Sequence, residues 1–176
     1  MPNEVLTLSG DSSPLGWGLY GGGSAHYLNL STVNARGVSA IFPDITDKFH
    51  VSNPVAAFTD ASVVRFQLTM GNSARTGAVS YGFHCEVYDG ATFENSVFLT
   101  LPATVPNGTT FNVDVPVTMT EAEVDNMQVA IRSGGSGWGF GGAIIRVDKL
   151  DLLLTYNVAP SVGLRINRFN RRSVVV

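Results

Sequence analysis

Charge is scarce in this chain. Only 14% of its 176 residues are Asp, Glu, Lys or Arg, against 44% apolar residues. So low a density is unusual for a free soluble monomer, and it suits either a Ser/Thr/Asn/Gly-rich surface or one partly covered by neighbouring subunits. Lysine is nearly absent, with Lys48 and Lys149 the only two, so positive charge is carried by arginine, whose planar guanidinium suits fixed, bidentate contacts. The single cysteine, Cys85, excludes an intrachain disulfide framework. No apolar run approaches the roughly 20 residues of a membrane helix, and Met1-Pro-Asn-Glu-Val5 has neither the basic nor the apolar segment of a signal peptide. Long amphipathic helices between strands are also missing, which argues against a parallel α/β sheet. The three histidines, His26, His50 and His84, are far apart and lack paired metal-ligand spacing. Asp148 and Asp151 beside Lys149 fall short of the six to eight oxygens of a calcium site. No nucleophile elbow, zinc-protease helix or phosphate-binding glycine loop is present, so the reading is non-enzymatic, with no cofactor and no metal.

What is present is period-two alternation. Val64, Phe66, Leu68 and Met70 form one face of a strand, with Arg65, Gln67 and Thr69 on the other. Tyr81, Phe83, Cys85 and Val87 repeat the pattern, with His84, Glu86 and Tyr88 expected outward. Asp89-Gly90 is a hairpin turn signal leading to a strand with Phe93, Val97, Leu99 and Leu101 on one face. Phe111, Val113 and Val115 alternate up to Pro116, and Thr120-Glu-Ala-Glu123 is a capped helical turn. Further strands are expected over 127–132, Ala143–Val147 and Leu150–Val158, the last two as a pair around a turn at 148–149. The N-terminal region is less regular, with strands over Glu4–Leu8, Ala25–Leu30 and Gly37–Phe42 around a Gly-rich connection. The fold class is therefore all-β: an antiparallel β-sandwich with about eight or nine strands, an irregular N-terminal region and a C-terminal arm. In this division residues 1–62 are N-terminal strands belonging to the same domain, 63–159 are the sandwich core and 160–176 are the arm.

Two features are candidates for contact with a partner. Loop 134–142 sets Trp138 and Phe140 among six glycines, and the Trp17/Tyr20 segment has a similar composition. Exposed aromatics of this kind can stack on a sugar ring or fill a partner's pocket. The arm carries Arg165, Arg168, Arg171 and Arg172 with no acidic residue, together with Phe169 and a terminal Val174-Val175-Val176. Taking its four positive charges from the net −3 leaves −7 for residues 1–160, so an acidic body bears a basic, partly apolar tail. That modest charge argues against nucleic acid and for docking on protein.

The run Glu123-Val-Asp-Asn-Met-Gln-Val-Ala-Ile-Arg132, the glycine loop, and Ile145-Arg-Val-Asp-Lys-Leu-Asp-Leu-Leu-Leu-Thr-Tyr156 together resemble the closing strands of jelly-roll domains in virion proteins of tailed bacteriophages. The resemblance spans residues 63–158 and is also similar in build to carbohydrate-binding modules. It implies that the antiparallel β-sandwich is of jelly-roll type, and that the chain is a minor tail, capsid decoration or head-fibre protein, assembled in the host cytoplasm into the virion. Its expected partners are capsid or tail subunits and further copies of itself, with no membrane. The alternative reading is a carbohydrate-binding module that holds a host-surface glycan through its loop aromatics.

Overall fold

The computed structural model describes residues 1–20, 25–30, 37–40, 44–54, 57–75, 80–136 and 143–158. Among these, the chain opens with β1 (Asn3–Leu6), β2 (Leu8–Leu15) and β3 (Gly18–Tyr20), turns through α1 (His26–Leu30), and continues with β4 (Gly37–Ala40) and β5 (Thr46–Val51). Next come β6 (Asp60–Met70), β7 (Ser73–Arg75), the hairpin of β8 (Ser80–Asp89) and β9 (Thr92–Thr100), β10 (Thr104–Val105) and β11 (Thr110–Thr120). A short α2 (Glu121–Asp125) leads into β12 (Met127–Ser136) and then β13 (Ala143–Asn157).

Two antiparallel sheets face each other. In the first, β13 is central, with β6 and then β11 on one side and β1 on the other. Beyond β6 and β1 the upper half of β13 is flanked by β7 with β10, and by β4 with β3. The second sheet runs β2-β5-β12-β8-β9. The four-strand orders β1-β13-β6-β11 and β5-β12-β8-β9, with the chain passing between sheets from β1 to β5, β5 to β6, β6 to β8, β9 to β11, β11 to β12 and β12 to β13, are the two interlocked Greek keys of a jelly roll. The short strands β3, β4, β7 and β10 extend it beyond the eight or nine expected.

Alternation places the core where the residues demanded it. Val64, Phe66, Leu68 and Met70 from β6 meet Tyr81, Phe83, Cys85 and Val87 from β8, all fully buried. Phe49, Ile131 and Leu152 fill the space between. Trp17 closes one end, its ring edge-on to Phe83 at 6.5 Å between centroids. The capping box at Thr120 is complete, with the Glu123 carboxylate accepting from the Thr120 backbone N–H at 2.7 Å.

Several local expectations are corrected. Residues Ala143–Asn157 form one 15-residue strand instead of a hairpin: Asp148 is the extra residue of a bulge between Val147 and Lys149, so the strand kinks without ending. Asp148 is buried by that bulge, while Asp151 pairs with Lys149 at 2.6 Å. His26–Leu30 is helical where a strand was expected, because the Asp11 carboxylate accepts the backbone N–H groups of His26 and Tyr27 at 3.0 and 2.7 Å. A side chain distant in sequence thus supplies the helix start. Part of the supposed Gly-rich connection is β2, an edge strand bulged at two places against β5.

Candidate functional site

The outer face of the five-stranded sheet carries the densest arrangement of polar and aromatic side chains among the described residues. Its geometry follows from register. Ala130 pairs with Lys48 on one side and Glu86 on the other, and Arg132 pairs with His84. These residues share one face because they sit at even steps from one another along adjacent strands. Glu86 is 3% exposed although it lies on the side away from the core. Its carboxylate is held by two donors, the Tyr88 hydroxyl to Oε2 at 2.7 Å and Arg132 Nε to Oε1 at 2.8 Å. Arg132 Nη1 also donates to Asp44 Oδ1 at 3.1 Å. Asp44 sits at φ 58°, a left-handed conformation that aspartate tolerates better than most side chains.

Lys48 lies with Nζ 3.8 Å from the centroid of the Tyr88 ring and donates to the Gly90 carbonyl at 3.0 Å. Burial pushes its pKa down, opposed by the Glu86 charge. Tyr88 is pushed up to about 12, by burial first and then by its bond to Glu86. Beyond Tyr88, Phe93 stands edge-on at 5.6 Å and is 53% exposed. It was expected on the inner face with Val97. A bulge opposite Val87/Tyr88 adds a residue to β9 and turns Phe93 outward.

At the other end of the same face, Gly82 stands directly opposite Gly134. Phe98 from β9 reaches over both: a Cβ on Gly82 would come within 3.1 Å of its ring, and one on Gly134 within 3.2 Å. His84 lies beside Phe98, ring centroids 4.8 Å apart. Burial, then the Arg132 charge, holds the His84 pKa below its ordinary value, so the ring is neutral at pH 7. Its Nδ1 is enclosed with no partner among the described residues.

A separate buried pair lies at the end of the sandwich. The Asp47 carboxylate is fully buried and pairs through Oδ2 with His26 Nδ1 at 2.5 Å, while Oδ1 accepts the Trp17 backbone N–H at 2.9 Å. Burial raises the Asp47 pKa, and His26 and the Trp17 N–H oppose that. Trp17 Nε1 donates to the Ile45 carbonyl at 2.8 Å. At 3% exposure Trp17 is a core residue, which corrects its place among the surface contacts: its indole fills the end of the sandwich and its one polar atom is satisfied inside.

Tyr20 ends β3, and its side chain lies outside the described residues, as do Trp138, Phe140 and the arm residues Arg165, Arg168, Phe169, Arg171 and Arg172. Of the residues that do form the outer face, His84 and Tyr88 were expected outward. Glu86 was expected there too, though exposed. Arg132, Lys48, Asp44 and Phe98 were not singled out. Asp47 was missed because an acid at an inward position interrupts the apolar alternation that marks a strand. Among the described residues no group of three His, Cys, Asp or Glu could hold a metal ion, and no helix is long and apolar enough to cross a membrane.

No family model matches the chain, and no curated protein matches it. Among solved structures it is similar to the CBM36-1 domain of a multidomain xylanase from the hindgut metagenome of Trinervitermes trinervoides, at 8% identity and a TM-score of 0.42 over 90% of this chain and all of that one. A chain of the T13 IBDV viral particle aligns at 12% identity and a TM-score of 0.41, over 89% of this chain and 31% of its own. The Agl-KA catalytic domain aligns at 15% identity and a TM-score of 0.45, over 95% of this chain and 30% of its own. The chain thus spans about a third of the length of the latter two.

Proposed function

We propose that this chain is a non-enzymatic structural subunit of a tailed-bacteriophage virion, of the minor tail or capsid decoration kind. It attaches through contacts between subunits and through residues 161–176. The observation that carries the reading is the jelly-roll wiring joined to a tail of opposite charge. The two-sheet body presents broad faces. The segment after β13 supplies four arginines to a body of net charge −7. Such a pairing of signs favours docking onto a neighbouring acidic surface, including that of another copy. The low overall charge fits a subunit whose surface is shared with neighbours.

The test is particle incorporation. Particles from the source organism should bear the protein on heads or tails by immunogold labelling. A chain lacking residues 161–176 should fold with an unchanged thermal midpoint and be missing from them. Unlabelled particles would refute the virion reading; full incorporation of the truncated chain would refute the role of the arm alone.

A further inference from the structure

We infer that the outer face of the five-stranded sheet, from Phe98 and His84 to Tyr88 and Phe93, binds a neutral glycan chain. The inference stands apart from the virion reading, since it rests on the geometry of one sheet face. Three observations carry it.

The first is the glycine pair. Gly82 and Gly134 face each other across β8 and β12, and the absence of both side chains lets Phe98 lie close against the sheet. Such close approach to the backbone holds the ring in place, and Phe98 is half-buried, so part of it is open to a ligand. Sugar rings stack their C–H faces on aromatic rings held in this way. His84 adjoins it, and with Nδ1 enclosed, Nε2 is the atom through which it can bond a hydroxyl.

The second is the charge balance. Asp44 and Glu86 face Arg132 and Lys48, two of each sign, and the pairs are already bonded among themselves or to backbone. His84 adds no charge at neutral pH. Four charges that cancel among themselves exert little pull on phosphates or a nucleic acid backbone. Its donors and acceptors are nevertheless held in place, so bonding a ligand's hydroxyls orders few side chains anew. Fixed hydrogen bonding without net charge is the chemistry of a neutral, hydroxyl-rich ligand.

The third is extent. Phe98 and Phe93 mark the two ends, five positions apart on a bulged strand, or about 15 Å at strand rise. Between them lie the Arg132–Glu86 pair and Tyr88. This is the layout for an extended chain of several sugar units, with aromatic rings at the ends and polar groups between.

The experiment titrates the full chain with cellohexaose, xylohexaose and chitohexaose, and with hexagalacturonate as the anionic control, followed by NMR. At least one neutral hexasaccharide should shift the amides of Gly82 and Gly134 and the rings of Phe98 and His84. Phe98→Leu, which keeps an apolar cover over the glycines, should weaken that binding about tenfold with the thermal midpoint little changed. Phe93→Ala, at an exposed position that leaves the fold intact, should weaken it several-fold and decides the matter should Phe98→Leu fail to fold. No shift at this face with any neutral hexasaccharide would overturn the inference. So would tighter binding of hexagalacturonate, or binding lost in Trp138→Ala and unchanged in Phe98→Leu and Phe93→Ala.

Discussion

Arg132 Nε donates to Glu86 Oε1 at 2.8 Å across β12 and β8, and the Glu86 side chain is 4% exposed against 30% for Arg132. The acid is therefore the dependent partner. Arg132→Ala would leave a buried carboxylate with the Tyr88 hydroxyl as its remaining hydrogen-bond donor among the described residues, and should lower stability by about 2 kcal/mol. Glu86→Gln, which keeps an acceptor and removes the charge, should lose less. Chemical denaturation of both variants checks the order.

Tyr88 should be among the last tyrosines to ionise, at about pH 12. Its folded pKa stands above the unfolded value of 10.0, so the stability it contributes is complete below pH 10 and is lost as pH rises through 12. Absorbance titration of tyrosinate should show this late step in the native protein and not in Tyr88→Phe. The variant should also lose less stability over the same interval.

Asp47 offers the same sign in another range. Burial raises its folded pKa above 3.8, so its favourable contribution is present below that pH and falls away as pH climbs through the folded value. Relative to Asp47→Asn, the unaltered protein should therefore lose ground as pH rises from 3.8. Asp47→Ala removes the acceptor of the Trp17 N–H and of His26 at once, and should cost about 3 kcal/mol in denaturant unfolding.

Two glycines in strands of the same sheet should answer differently to alanine. At Gly82 an added Cβ would stand 1.9 Å from the Leu99 carbonyl oxygen, a clash with backbone, and Gly82→Ala should cost about 3 kcal/mol as β9 is forced aside. At Gly10 the nearest atom is the His50 ring at 3.8 Å, and Gly10→Ala should stay within about 0.5 kcal/mol. Thermal midpoints of the two variants, measured side by side, make the comparison.

The inward rows of β6 and β8 were legible because one residue in two must leave water, and Val64 through Met70 and Tyr81 through Val87 obey that rule without a break. The sandwich class followed from them. Bulges were not legible. An inserted residue at Asp148 or before Asn95 shifts the phase of alternation while leaving the composition unchanged, so β13 read as two strands and Phe93 read as inward. Helix α1 was hidden for a different reason: its cap comes from Asp11, fifteen positions away from His26. The outer-face site was half visible. Periodicity placed His84, Glu86 and Tyr88 on one side of β8, but only the pairing of β8 with β12 and β9 brings Arg132 and Phe98 to them. Register between strands is a tertiary property, and one strand's pattern does not encode its neighbour.

The central place of β13 has a bearing on how the molecule comes into being. It holds β1, β4, β6 and β7 directly, so most seams of the first sheet run through the last of the described strands to be synthesised. During translation, β1 lacks its partner among the described strands until residues 152–155 have left the ribosome. Such distant pairings make closure slow and place it late. The nascent chain must wait with apolar strand edges unpaired, a period in which association between unfinished chains competes with folding.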